Sequence, residues 1–337
     1  MTLERVTVMT ELPDTETLRS ALSLATRAPS VHNSQPWRWR VGEETLHLYA
    51  DPSLQLPHTD PDGRDLMLSC GAALNHCVVA LAALGWQAKV TRFPNPADPD
   101  HLAALTLYSY PAAELDVALA AAIPRRRTDR RHYSSWPVPR GDVVLMGARA
   151  ARAGIVLRRI ADLDGLAGLA GEAARVHESD EEYLAELARW SGRYAATSGV
   201  PARSLPGPDG VARVPARHFA VGVLTQPLHT DPADEHAVIL ALGTRDDDAM
   251  AWLRAGEATS LVLLTATALG LASCPITEPL EVARTREALR EDVFGTDAHP
   301  QMLLRVGWAP ISADPLPSTP RRDLSDVVAY LDDSPLE

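Results

Sequence analysis

Lysine is nearly missing from this chain: Lys89 is the only one in 337 residues, and the rest of the 32 basic side chains are arginines. Any anion site must therefore use planar guanidinium forks rather than flexible ammonium groups. Alongside the abundance of alanine and proline, the bias reads as compositional. Basic charge is in deficit too. The 44 acidic residues leave a formal net charge of −12, which argues against the basic face that a nucleic-acid partner requires. Cysteine is sparse: Cys70, Cys77 and Cys274 form an odd set without a CxxC, so no disulfide framework is expected. His32, His47, His58 and His76 lack the i,i+3 or i,i+4 pairing of metal ligands, so no metal site is expected either. No uninterrupted apolar run reaches the roughly 18–20 residues of a membrane span. The start, Met1-Thr-Leu-Glu-Arg-Val, has neither the charged nor the apolar region of a signal peptide. These absences point to a reduced, cytoplasmic chain with no membrane or nucleic-acid partner.

What is present is a globular composition, 46% hydrophobic and 23% charged, and a length that suggests two domains or one doubled unit. An internal repeat favours the second. Residues 64–86 read RDLMLSCGAALNHCVVALAALGW and residues 249–271 read AMAWLRAGEATSLVLLTATALGL. Gly71 aligns with Gly256, Ala73 with Ala258 and Gly85 with Gly270, without a gap. Both segments are apolar almost all round, as a helix buried in a core is. Each ends at a glycine placed for a left-handed cap. Each is preceded by an acid, Asp62 or Asp247, suited to a helix N-terminus.

The flanks repeat as well. A helix over 14–26 and strands over 37–41 and 46–49 lead into the first copy. A proline-led helix with Asp142 in its first turn and a strand over 154–160 lead toward the second. Strands over 103–110 and 302–310 follow the copies. Each half then reads helix, strand, long buried helix, strand: an α+β class with antiparallel or mixed sheets flanked by helices. The expected halves are residues 1–123 and 124–337. The second carries extra sequence over about 161–230, acidic and helical at first, then Gly/Pro-rich over 197–215. A lid over a site and a tolerated surface insertion are both open for it.

The stretch from Ala28 to Trp37, APSVHNSQPW, leaves a helix, enters a strand and offers Ser, Asn and backbone N–H donors from a turn. Such turns cradle phosphates and polar chains. Ser30 and His32 do not read as a hydrolase pair, because i,i+2 spacing seldom aligns hydroxyl and imidazole and no G-x-S-x-G is present.

APSVHNSQPW resembles the PSxxNxQPW signature of the nitroreductase superfamily of FMN-dependent oxidoreductases. Arg126-Arg127-Thr128-Asp129-Arg130 is similar to that family's opening R-x-S/T-x-K/R motif, which grips the FMN phosphate and ribityl chain. GLASCPIT, from Gly270 to Thr277, resembles the segment whose backbone faces the flavin ring near N5. PRRDLSDVV, from Pro320 to Val328, resembles the C-terminal arginine segment that returns to the phosphate. With the SCGAAL helix and the HPQMLLRVG strand, the likeness spans nearly the whole chain and is strongest to the Acg-like branch, in which two halves are fused. Departures are His132 for a usual aromatic, Asp323 for a usual proline, and Thr277-Glu278 where Glu-Gly is frequent.

The resemblance implies FMN held by Pro29, Ser30, Val31, Asn33 and Gln35 of the first half, with Arg126, Arg127, Thr128, Arg130, Pro275, Ile276, Thr277, Arg321 and Arg322 of the second. It implies NADPH or NADH as electron donor, a small-molecule acceptor, and no catalytic side chain, because the flavin carries the chemistry. Cys274 is read as a structural thiol rather than a redox one, and Cys70 and Cys77 as packing groups. Family members are intertwined homodimers with FMN at the interface. Here PSVHNSQPW occurs only in the first half and RRTDR only at the head of the second. One flavin site per chain is therefore expected, across the seam of an internal pseudo-dimer, with the symmetry-related site vestigial and the chain a monomer or weak homodimer. Two functions follow from this reading. One is hydride transfer from NAD(P)H through flavin to an acceptor; the other is flavin sequestration under an insertion that blocks nicotinamide access.

Overall fold

Asp14 starts the first helix, its carboxylate accepting the Thr17 N–H at 2.7 Å, and α1 runs Thr15–Ala25. The computed structural model describes residues 12–193, 196–207, 214, 217, 219, 222–227 and 234–336. After α1 come β1 (Trp37–Val41), β2 (Thr45–Ala50), the long α2 (Arg64–Ala83), β3 (Trp86–Arg92), β4 (His101–Ser109) and α3 (Glu114–Ala122). Next come α4 (Arg140–Arg152) and β5 (Val156–Ile160). The insertion contributes α5 (Leu163–Glu178), α6 (Glu181–Trp190), β6 (Ser191–Arg193) and β7 (Val200–Pro201); much of the expected loop over 197–215 lies outside the described residues. Then follow β8 (Val238–Thr244), the long α7 (Ala249–Ala268), β9 (Ala272–Ile276), α8 (Glu278–Glu281), α9 (Ala283–Leu289), β10 (His299–Gly307), α10 (Leu324–Val327) and β11 (Val328–Tyr330).

The sheets are ordered β11-β1-β2-β4-β3 and β5-β8-β10-β9. Apart from β11, which joins β1 in parallel, the second order repeats the first. Each sheet also has a register shift at the matching place. One falls between Leu48 and Tyr49, which pair with Ala103 and His101; the other between Pro300 and Met302 on β10. The sequence reading missed β3, β8 and β9. β8 is buried along its whole length, and a short apolar run of that kind shows no alternation to mark it as a strand.

Helices α2 and α7 cross at the seam. A Cβ on Gly71 would lie 2.0 Å from the Leu253 carbonyl, and one on Gly256 would lie 2.1 Å from the Leu68 carbonyl. Leu253 and Leu68 are each three residues before the opposing glycine, so the crossing is two-fold in its contacts. The caps are Gly85 and Gly270, with φ of 86° and 82°. The acids work differently from expectation. Asp60, not Asp62, accepts the Asp65 and Leu66 N–H groups at the head of α2. Asp248 caps α7, while Asp247 holds Arg286, Gln301 and Trp252. By length and composition α2 alone is apolar enough to cross a membrane among the described helices, with a mean hydropathy of 1.8, but 72% of that window is buried within the protein.

Trp37 and Trp39 fill the space between the first sheet and α1 and α2. The second sheet is covered on both faces, by α4 and α7 on one and by α5, α8 and α9 on the other. That double cover explains the uninterrupted burial of β8.

Candidate active site

A cavity opens at the seam where α2, α7 and β9 meet, with about 1240 Å³ of empty space including its mouth. Eight of the expected residues line it: Pro29, Ser30, Val31, Thr128, Arg130, Pro275, Ile276 and Thr277. Sequence reasoning assigned no ligand role to Leu68, Ser69 and Ala72 of α2, Thr259 of α7, or Met302 and Arg305 of β10, which also line it. For the helix residues the signal was Gly71 and Gly256, which bring one face of α2 and of α7 together; the β10 residues had none.

The first wall is strained backbone held from several sides. His32, Asn33 and Gln35 have φ of 45°, 57° and 55°, a region that costs non-glycine residues free energy unless neighbours over-determine it. Ser30 Oγ accepts the Gln35 N–H at 2.9 Å, and the Val31 N–H donates to Ser69 Oγ at 3.1 Å. The Asn33 amide donates to the Gly199 and Pro320 carbonyls. Gln35 donates to Thr197 and accepts the Arg322 N–H. Asn33 and Gln35 therefore tie the loop to the insertion and the C-terminal segment rather than lining the cavity. With Ser30 Oγ used in this way and His32 facing Arg217, the two make no hydrolase pair.

The opposite wall is pinned to β9. Thr128 bridges Ser273 in parallel, the Asp129 N–H donates to Ser273 O at 2.9 Å, and the Arg131–Asp129 ion pair is buried at 2.8 Å. This directs Arg130 into the cavity. Its guanidinium donates to Ser204 O at 3.1 Å and lies 5.5 Å from the Phe219 ring centroid. Burial lowers its pKa, and no carboxylate among the described residues pairs with it.

The remaining arginines have separate fates. Arg321 makes five hydrogen bonds, to the carbonyls of Thr26, Arg27, Ala28, Thr319 and Pro320, one for each guanidinium N–H. It closes the C-terminal end of α1, where carbonyls lack partners. Arg322 and Arg127 likewise donate to carbonyls. Arg126 differs. It is 6% exposed, and its Nε and Nη1 have no partner among the described residues. Burial, then Arg127 and Arg27, push its pKa down to about 10. Burial, then Arg126, Arg27 and Arg127, push Arg321 down to about 9. Arg126 and Arg321 thus form a cationic cluster with Arg27 and Arg127, and none of the four lines the cavity.

Arg217 and Phe219 also line the cavity. Arg217 donates to His32 Nε2 at 2.8 Å, Tyr183 Oη at 2.8 Å and Thr277 Oγ1 at 3.1 Å, and it pairs closely with Glu281. His32 Nε2 is thus an acceptor, and the imidazole is neutral. Burial, with Arg217 and Arg130, holds its pKa well below the ordinary range. His177 stacks on Tyr183 at 3.9 Å and approaches Glu278 at 3.2 Å. Cys274 is buried, and burial chiefly raises its thiol pKa. Among the described residues no group of three or more His, Cys, Asp or Glu side chains could hold a metal ion.

The nitroreductase family model matches residues 172–308. A Mycobacterium tuberculosis protein named "Putative NAD(P)H nitroreductase Rv3131" is 62% identical over 95% of this chain and 93% of its own. A second protein of that organism, "Putative NAD(P)H nitroreductase acg", is 38% identical over 94% of this chain and 97% of its own. Among solved structures, the FMN-dependent nitroreductase NfnB from Mycobacterium smegmatis in complex with NADPH matches 64% of this chain and 99% of its own, at 18% identity and a TM-score of 0.38. With identity of this order running from end to end, this chain belongs to the nitroreductase family.

Proposed function

We propose that this protein is an oxidoreductase that holds FMN at the seam and passes a hydride from NAD(P)H to a small-molecule acceptor. The observation that carries the reading is Arg126, a buried guanidinium among other arginines whose Nε and Nη1 have no partner, and which pairs with no carboxylate, among the described residues. An arginine cannot escape burial by losing its proton at ordinary pH, so the position is completed by an anion. A phosphomonoester brings about two negative charges. The rest of the seam fits the same molecule. Val31, Leu68, Ala72 and Ile276 offer an apolar bed for a flat ring system, and Arg130 offers a donor to its oxygens. When bound, the flavin supplies a redox centre that side chains lack. The chain's part is to bind and orient it: Arg126 on the phosphate, Thr128 and Arg130 along the polar edge, Pro29, Ser30 and Val31 as the facing wall. Arg321, Arg322, Asn33 and Gln35 hold these elements in place. The relatives' names indicate NAD(P)H as electron donor.

We also infer that residues 1–123 and 124–337 are two copies of one unit. The matching strand orders, register shifts and glycine crossing support this. At the spacing that relates Gly71 to Gly256, Ala72 and Thr277 of the cavity correspond to Glu257 and Arg92. Those two form a bidentate ion pair, both bonds at 2.7 Å, that fills the related place. One flavin per chain is the expected stoichiometry by absorbance against protein mass, and two would overturn the assignment.

The insertion supports a second reading, flavin sequestration, because its Arg217 and Phe219 line the cavity. Anaerobic stopped-flow mixing with NADPH and NADH separates the two. An oxidoreductase bleaches the flavin promptly. A sequestering protein keeps it oxidised for minutes, and Arg217→Ala then restores reduction.

A further inference from the structure

Asp65 is a carboxyl side chain at the cavity wall that binding of a flavin does not require. It stands in the first turn of α2, lines the cavity and is 3% exposed. Neither carboxyl oxygen accepts a hydrogen bond among the described residues; Arg64 Nη2 is at 2.6 Å from Oδ1 as an ion pair, while Arg64 Nη1 is committed to the Gln301 carbonyl. Asp60, 5% exposed, sits beside it, accepting the Asp65 N–H at 2.9 Å and the Leu66 N–H at 2.8 Å. Two buried carboxyl groups thus stand together at the head of α2, Asp65 paired with Arg64 and lining the cavity, Asp60 behind it. Like charges so placed do not both ionise readily, and the pair titrates as a unit.

We infer that Asp60 and Asp65 form a coupled carboxyl pair and that Asp65 delivers the proton consumed when an acceptor is reduced in the cavity. The inference rests on the flavin reading above. In the step, the Asp65 O–H bond breaks and an acceptor O–H bond forms, while the acceptor takes a hydride from the reduced flavin. The acceptor is reduced, the flavin is oxidised, and Asp65 is left as carboxylate for Asp60 and solvent to reprotonate. Reduction of the flavin by NAD(P)H takes a hydride and no proton, so the pair acts only in the second half of the cycle.

The electrostatics agree. Burial and the Asp65 charge lift Asp60 to about 7, against the two N–H bonds and Arg64, which act the other way. Burial raises Asp65, Glu281 adds to the rise, and Arg64, Arg217 and Arg286 oppose it. Stability from protonating such a group is full below its unfolded value of about 4 and is lost as pH rises through its folded value. For Asp60 that window closes near 7.

Two measurements test the inference. In cofactor-free protein, infrared spectroscopy in H2O and D2O follows the C=O band of a protonated carboxyl group. The band should persist to near-neutral pH in the native chain and be lost or shifted in Asp65→Asn and in Asp60→Asn, which keeps an acceptor for the α2 N–H groups. Its absence above pH 5 in the native chain would overturn the pair. Next, dithionite-reduced, FMN-loaded protein is mixed with benzoquinone across pH 5–9. Asp65→Asn should slow flavin reoxidation by about 100-fold, within the range for general acids, and abolish the native pH dependence and solvent isotope effect. An unchanged pH profile in Asp65→Asn would overturn the delivery step. Because dithionite replaces NAD(P)H, failure of the nicotinamide reading leaves this test intact. Failure to load flavin would refute the reading beneath it while the infrared titration still judges the pair.

Discussion

Gly71→Ala is expected to destabilise the chain by about 3 kcal/mol or more, the upper end of the overpacking range, and Gly256→Ala to do the same. The added Cβ would lie 2.0 Å from Leu253 O in the first case and 2.1 Å from Leu68 O in the second. Both obstacles are backbone, so no rotamer change relieves them; α2 and α7 must move apart. That separation unpacks both core clusters at once, because Leu68 belongs to one while Leu253 and Leu264 belong to the other. Total stabilities of 5–15 kcal/mol leave little reserve for such a loss. The control is Gly147→Ala in α4, where the nearest atom is a Leu157 methyl at 3.9 Å. Alanine favours a helix over glycine by roughly 1 kcal/mol, so this variant should melt at or above the native temperature. Thermal melts by circular dichroism decide the matter. A Gly71→Ala chain that melts like the native one would mean that the helices do not cross as described.

Arg126→Ala is expected to lower FMN affinity by 100-fold or more while raising the melting temperature of the cofactor-free chain. The two effects have one cause. A guanidinium held inside the protein without a counter-ion is costly, and the drop of its pKa to about 10 expresses that cost. Alanine removes it. The same free N–H groups are what a phosphate would use, at about 1.5–3 kcal/mol for each charge-assisted bond, and every 1.4 kcal/mol is a tenfold change in affinity. Riboflavin, which has no phosphate, should bind the native chain and the variant equally. Equal losses for FMN and riboflavin would place Arg126 elsewhere than at the phosphate. Arg321→Ala should behave differently. It leaves three α1-terminal carbonyls without their donor, so it should lower stability and affect both flavins together.

The contrast between Arg126 and Arg321 marks the limit of what was legible in the residues. Both stand in motifs that resemble phosphate-gripping segments, and nothing local separates them. Arg321 meets Thr26 across 295 positions of chain, and that meeting uses its donors. Asn33 and Gln35 are parallel cases: their amides look suited to a cofactor, yet the folded chain brings them carbonyls from the insertion and the C-terminal segment. Asp65 went unassigned because an acid in the first turn of a helix ordinarily serves the dipole. Only the neighbouring Asp60 and the cavity give it another role.

What began as a shortage of lysine ends as a question of which arginines are free. The sequence by itself determined the covalent pattern. It set the two glycine-centred helices, their left-handed stops, the single copies of APSVHNSQPW and RRTDR, and the use of guanidinium for anion contacts. Those follow from periodicity, backbone sterics and composition, which are local. The tertiary structure decided which donors are spent and which remain. It also put the core helices in direct contact, covered the second sheet with the insertion, and set Arg217 at the cavity. Hydrogen-bond saturation and burial depend on neighbours remote in the chain, so they appear only when the chain has closed on itself.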